Sequence, residues 1–410
     1  MLIGHPQTVT SGSTVRVQVP VTLDTSHPLL SNHFDYWYEL PAEYASSLAA
    51  DRADAFLVGM QSLAMLLHED ITVEAPVSAR LVRGLQEYQR AFAQWFPDRR
   101  PAEIQHDGFA PELSTGTGTG TFFSGGIDSF HTLWSHLDDR EPNPEYRITH
   151  GLYLDGFDTD EIRTAGYDES MEAFRSLLDG LGVELIPIRT NLKDFVHEDT
   201  TGWQKGYGSL LASNALLMQG LLRRCYVPSG GTYSPDHFTE GSNPLTDPLL
   251  STETLEIIHD GAWATRIEKT FAIAAWPATY DHLYVCFGRG EGAGLENCCR
   301  CEKCIRSMIA LELAGTLDRY STFPTPLESG DIRRWKMPYF DVTECFAQDL
   351  YETAQRVGRA DVARDLRLML LNHRIRFSAL GRLLRRLIVV PAKRSEWISS
   401  LYYRLRGARA

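Results

Sequence analysis

The stretch that most constrains this chain runs Phe122-Phe123-Ser124-Gly125-Gly126-Ile127-Asp128-Ser129-Phe130-His131-Thr132-Leu133-Trp134. It predicts a strand end, a tight glycine turn and a helix start. Phe130, Leu133, Trp134 and Leu137 then recur at helical spacing, so one face of that helix is buried. Glycines let backbone N–H groups approach an anion closely. The first helical turn adds N–H groups without intrahelical partners and the positive end of the helix dipole. Together these make a phosphate site lined by Ser124, Gly125, Gly126, Ile127, Asp128 and Ser129. The plainer reading of the same residues is a Gly-Gly turn with a Ser or Asp helix cap. No Gly-Lys-Ser/Thr follows at the spacing of a Walker loop, so the usual nucleotide-hydrolysis signature is missing.

At 410 residues, two or three domains are expected. The net charge of −13 argues against broad contact with nucleic acid backbone. The beginning of the chain lacks a basic segment followed by a long apolar run, so no signal peptide is expected. No apolar run reaches the roughly 20 residues of a membrane helix, and a cytoplasmic protein is expected. Residues 371–410 hold ten Arg or Lys and one Glu. A run of this kind is ordinarily a solvated helix face, although it could touch an acidic partner.

Residues 15–23 alternate in the manner of a half-buried strand, and Pro20 within it suggests an edge or a bulge. Phe56, Met60, Leu63 and Leu67 form a helical stripe, and residues 71–75 a short strand. Ser78 reads as the N-cap of a helix carrying Leu81, Leu85, Tyr88, Phe92 and Trp95 on one face. The Gly/Thr run at 114–121 begins as a linker and ends by feeding the strand before the glycine turn. Strands are then predicted at 148–154, 183–188, 224–228 and 283–286, with helices at 167–182 and 207–222 between them. Alternation of this kind predicts a parallel, doubly wound α/β sheet. Asp155 falls at the carboxyl end of a strand, where open α/β sheets bind ligands. The long loop at 229–251 offers Asp236, His237, Ser242, Asn243 and Asp247. Arg266 and Lys269 follow as the cations best suited to stabilise charge on a leaving pyrophosphate. Beyond residue 325 the pattern is mainly helical. His373, on a stripe with Leu366, Met369 and Leu370, reads as a packed residue.

Seven cysteines are present, five of them between Cys286 and Cys304. Cys298, Cys301 and Cys304 are spaced three apart, with Cys286 upstream. Four thiolates satisfy a tetrahedral zinc ion, and such clustering favours metal over disulfides in a chain without a secretion signal. The site is expected to be structural, with Cys299 an onlooker that could replace Cys298.

Ser-Gly-Gly-x-Asp-Ser resembles the pyrophosphate loop (PP-loop) of the ATP pyrophosphatase superfamily. With the cysteine cluster added, residues 118–315 resemble the 7-cyano-7-deazaguanine synthase branch. That resemblance implies an adenine nucleotide alpha hydrolase-like fold; the pattern of residues 1–112 adds a small α+β N-terminal domain. The ATP-binding domain would span 113–320, and a helical C-terminal region with its basic tail 321–410. It implies ATP held by Ser124, Gly125, Gly126, Ile127, Asp128 and Ser129, with Asp155 near Mg2+ or the nucleotide. It implies Zn2+ on Cys286, Cys298, Cys301 and Cys304, supporting the wall of the active site. The activity implied is adenylation of a substrate carboxylate or amide oxygen with release of pyrophosphate, and then displacement of AMP by ammonia or an amine. Asp128, Arg266 and Lys269 would serve catalysis. The chain departs from the family in its N-terminal region, its helical tail and the longer spacer between Cys286 and Cys298, so a specialised paralogue is expected. The acceptor would be a small molecule or a protein, and a homodimer is left open. The alternatives are a PP-loop sulfur transferase acting on RNA and a non-catalytic nucleotide-binding sensor or scaffold.

Overall fold

A computed structural model describes residues 1–113, 116–155, 164–196, 205–234, 239–286, 294–336 and 341–377. Asp236, His237 and the basic stretch after 377 lie outside the described residues. The first part of the chain supplies β1 (Leu2–Ile3), β2 (Gln7–Ser11), β3 (Thr14–Thr22), β4 (His33–Pro41), α1 (Asp54–Leu67), β5 (Ile71–Val73), α2 (Ala79–Trp95) and β6 (Ile104–His106). Next come β7 (Gly118–Phe122), α3 (Ile127–Ser135), β8 (His150–Asp155), α4 (Thr164–Gly180) and β9 (Glu184–Thr190). They are followed by α5 (Tyr207–Leu217), β10 (Leu222–Pro228), β11 (Glu256–Asp260) and α6 (Arg266–Ile273).

The fold is α/β. Eleven strands form one mixed, mostly parallel sheet in the order β11-β10-β7-β8-β9-β4-β3-β1-β5-β6, with β2 also on β3. Within it, β9-β8-β7-β10-β11 are all parallel. The antiparallel pairing of Tyr38 with Thr190 and Glu39 with Arg189 carries the N-terminal strands into the same sheet.

Period-2 alternation decides which side chains are buried. Along β3, Val15, Val17, Val19 and Val21 face the core, and on β4 Tyr36, Tyr38 and Leu40 do the same. Leu152, Ile186, Ile188, Cys225 and Val227 continue that core, which is completed by α1, α2 and α5. On the opposite face Tyr153 meets Phe174 of α4. Pro20 sits where the neighbour of β3 changes. β2 pairs as far as Gln18 and β1 resumes at Val21, so the N–H that proline lacks is not needed.

Ser78 caps α2 by accepting a hydrogen bond from the Leu81 N–H, at 2.9 Å. Residues 283–286 are not a strand, which corrects the sequence expectation. Side-chain and turn acceptors take their N–H groups: Asn297 Oδ1 accepts from Val285 and Cys286, and the Gly125 carbonyl from Tyr284. The last parallel strand is instead β11.

The compact unit just described comprises residues 1–298 and 316–324. A second unit, residues 299–315 and 325 onward, is helical. It contains α7 (Glu302–Leu313), α8 (Ser329–Arg334), α9 (Asp341–Arg356) and α10 (Ala360–Phe377). Leu366, Met369 and Leu370 are buried within it, and the Arg306 guanidinium lies 4.7 Å from the Phe346 ring. Among the described residues no helix is long and apolar enough to cross a membrane.

Gly84 gives the packing a sharp test. A Cβ there would overlap the carbonyl oxygen of Leu249, a backbone atom that cannot swing aside. Gly84→Ala should gain about 1 kcal/mol of helix propensity. It should nevertheless lower stability by roughly 1–3 kcal/mol, because overpacking dominates. A urea midpoint equal to or above the wild type's would show that α2 does not press on this turn.

Candidate functional site

The glycine turn leaves β7 and enters α3 as the sequence predicts. Gly125 has φ +73°, and a Cβ there would overlap the Phe174 ring, so both backbone conformation and space demand glycine. Its carbonyl accepts from the Tyr284 N–H at 2.8 Å. Gly126 is the N-cap and has no side chain to satisfy the first N–H groups of α3. Ser124 is exposed and Ser129 buried. The Ser129 hydroxyl donates to the Gly126 carbonyl at 3.0 Å and accepts from the Ser124 N–H at 3.4 Å. Ile127 buries its side chain and contributes only backbone to the turn.

Asp128, Arg266 and Lys269 come together. The Arg266 guanidinium donates to Asp128 Oδ2. Lys269 Nζ lies 3.5 Å from Asp128 Oδ1 and donates to the Ser229 carbonyl at 2.6 Å. A Thr265/Glu268 capping box starts α6 here, so both cations project from its first turn. Burial pushes the Lys269 ammonium below its usual pKa, opposed by Asp128 and reinforced by Arg266. The cluster sets two cations on one carboxylate.

Asp155 does not join this cluster. Its carboxylate accepts from Arg189 Nε at 2.8 Å. The pair lines an open cleft of about 290 Å³ with Arg16, Trp37, Glu39 and Thr190.

Two histidines beside the site carry no distinctive sequence signal. His131 is buried, and among the described residues neither ring nitrogen has a hydrogen-bond partner. Burial, and next the Lys269 charge, push its pKa down to about 4. His136 lies 3.1 Å from Asp260 and 2.9 Å from Glu141. Burial alone would lower its pKa, but its hydrogen bonds to these carboxylates outweigh that and raise it. Ser242 bonds Asp247 at 2.6 Å within the 239–251 loop, and His259 of β11 bonds the same carboxylate at 2.8 Å and ties the loop to that strand.

Cys286, Cys298, Cys301 and Cys304 cluster with all four sulfurs within 4.8 Å of one another. At about 2.3 Å per zinc–sulfur bond, tetrahedral thiolates lie just under 4 Å apart, so the cluster can hold a metal ion such as zinc. Cys301 is the N-cap of α7, and its Sγ accepts from the Cys304 N–H. A helix N-terminus favours the thiolate a metal needs. Asn297 was not singled out in the sequence. Its amide holds Leu283, Val285 and Cys286 in place. Cys298 belongs to the cluster, and Cys299, at φ +54°, lies outside it.

No protein-family model, curated protein or solved structure matches the chain.

Two expectations follow from this geometry. The folded protein keeps His131 neutral down to about pH 4, whereas the unfolded chain takes up that proton near 6.5. Stability contributed by the neutral ring is therefore present above pH 6.5 and lost as pH falls toward 4. His131→Gln should reduce that acid loss by on the order of 3 kcal/mol, read from urea titrations at both pH values. Equal loss in both proteins would contradict it. For the cysteines, metal analysis should find one zinc per chain. Cys301→Ser should lose the metal and several kcal/mol of stability, while Cys299→Ser keeps both. An iron–sulfur chromophore, or full stability with no metal, would overturn the zinc assignment.

Proposed function

We propose that this chain is an ATP-dependent ligase of the PP-loop type. The observation that carries the reading is the convergence of Arg266 and Lys269 on Asp128 at the first turn of α3. That places a glycine turn, a helix N-terminus and two cations at one end of a central parallel strand. β7 is flanked by β8 on one side and β10 on the other, so strand order reverses there. Open α/β sheets bind ligands at the carboxyl ends of strands at such a point.

In the proposed reaction an acceptor carboxylate or amide oxygen attacks the α-phosphorus of ATP. The bond to the bridging oxygen breaks, and pyrophosphate leaves. Ammonia or an amine then adds to the activated carbon, and AMP departs with the transferred oxygen. The turn at 124–127 and Ser129 would hold the phosphates. Arg266 and Lys269 would stabilise charge on the leaving group, and Asp128 would keep both cations in place until the anion arrives. Magnesium brought in with ATP would supply further neutralisation, with Asp155 the carboxylate proposed to face it. The zinc cluster is read as structural because all four tetrahedral positions are taken by protein thiolates.

The test is product analysis with candidate acceptors. AMP and pyrophosphate are expected, rather than ADP and phosphate. Asp128→Asn and Ser124→Ala should each lower pyrophosphate release by about a hundredfold or more while the fold is retained. Undiminished release from either folded variant would remove the turn from the reaction.

A further inference from the structure

The chain contains a second Ser-Gly-Gly. Ser229, Gly230 and Gly231 follow β10 as Ser124, Gly125 and Gly126 follow β7. The two strands are parallel neighbours, with Thr121 opposite Tyr226. Continued past the strand ends, that register sets the two Ser-Gly-Gly turns level with each other. They flank the crevice where strand order reverses.

Side chains link the two turns. Lys269 Nζ reaches both the Ser229 carbonyl and Asp128. A Cβ built on Gly230 would meet only a terminal nitrogen of Arg266, at 3.7 Å, so this glycine opens directly toward the guanidinium. The Ser229 hydroxyl donates to the Gly231 carbonyl and accepts from the Gly231 N–H, which fixes the turn. Among the described residues the Gly230 N–H donates to no protein acceptor. At the inner end of the same corner, Gly261 leaves room between Lys269 and His131 Nδ1. Neither nitrogen of that buried imidazole has a hydrogen-bond partner among the described residues. A guanidinium and an ammonium thus meet at the second turn, beside a backbone N–H that no described protein group accepts.

We infer that the 229–231 turn, with Arg266 and Lys269, forms a second oxyanion subsite that takes one phosphoryl group of a pyrophosphate moiety while the 124–127 turn takes the other. This rests on the PP-loop reading and adds to it a wall and a division of labour. The first turn binds any single phosphate. The second distinguishes a diphosphate from a monophosphate by its reach.

Calorimetry on the full-length protein, with inorganic pyrophosphate and inorganic phosphate as separate probes, tests it. Wild type should bind pyrophosphate at least tenfold more tightly than phosphate. Gly230→Ala places a methyl group between turn and guanidinium, at a position whose backbone any residue can adopt. It should weaken pyrophosphate binding about tenfold and leave phosphate binding unchanged. Gly126→Ala should weaken both. Should Gly230→Ala fail to fold, Ser229→Ala, which releases the turn that the Ser229 hydroxyl fixes, makes the same test with the same selective loss expected. If wild type binds pyrophosphate but the tested variant binds it equally well, the subsite is refuted and the PP-loop reading stands. If wild type does not bind pyrophosphate, the PP-loop reading falls and takes the subsite with it.

Discussion

The constraint on which this structure depends is the lack of room around β7. All five of its residues are buried, and it pairs with β8 on one side and β10 on the other. A Cβ at Gly118 would come within 2.9 Å of the His150 ring, and one at Gly120 within 2.9 Å of Leu222 Cδ1. The alternating glycines and threonines are thus what a crowded central strand admits. They give β7 little side-chain packing of its own, so its position is held by hydrogen-bond ladders and by the neighbours filling its space. Because the later strands β10 and β11 are added on the opposite side from β8 and β9, the chain must turn away at the end of β7 and again at the end of β10. Two turns are thereby brought to one crevice by topology alone.

Burying Lys269 is costly unless the charge is answered. Asp128 and the Ser229 carbonyl answer it, but Asp128 must also serve Arg266. One carboxylate shared by two cations is a poor device for stability, since desolvation of the ammonium is offset only in part. As a receptor for an anion the same arrangement is sound. An arriving phosphate would add charge opposite to both cations. The neutrality of His131 fits that scheme, because a third positive group in this corner would repel its neighbours.

What was legible in the sequence was local. The stripe of α1, the Ser78 cap, the alternation of β3, the parallel strands β8 to β10, the glycine turn and the cysteine spacing all have short-range signatures. Residues 33–41 carry one too, in the alternation of Phe34, Tyr36, Tyr38 and Leu40. The pairing of β4 with β9 has no such signature, because register between distant strands depends on which buried faces match. It is this pairing that makes the N-terminal strands part of the larger sheet. The apolar run at 283–286 imitated a strand, yet its N–H groups go to Asn297 and Gly125. β11, a short mixed segment, was the strand that the sheet used. At the site, Arg266 and Lys269 could be proposed by chemistry, but only folding shows that both meet Asp128.

Acidic residues at strand ends show how hydrogen bonding sorts candidates that sequence treats alike. Asp155 ends β8 and Asp260 ends β11, and the rule that ligands bind at carboxyl ends applies to both. Asp260 is already engaged. It accepts from Thr132 Oγ1 at 2.7 Å and pairs with His136, whose ring stacks on Tyr226 at 4.1 Å. Burial would raise its pKa, but the bonds from His136 and Thr132 hold it low, so the carboxylate stays ionised. Its task is to fix the last turn of α3, while Tyr284 fixes the glycine turn at the other end through Gly125. With both ends held by groups off the helix, the N–H groups at its start have little freedom to retreat from an anion, which is what preorganisation of a binding site requires. Among the described residues Asp155 bonds Arg189, and it lines an open cleft. Of the two carboxylates, therefore, Asp260 belongs to the scaffold, and Asp155 is the one that borders a cleft.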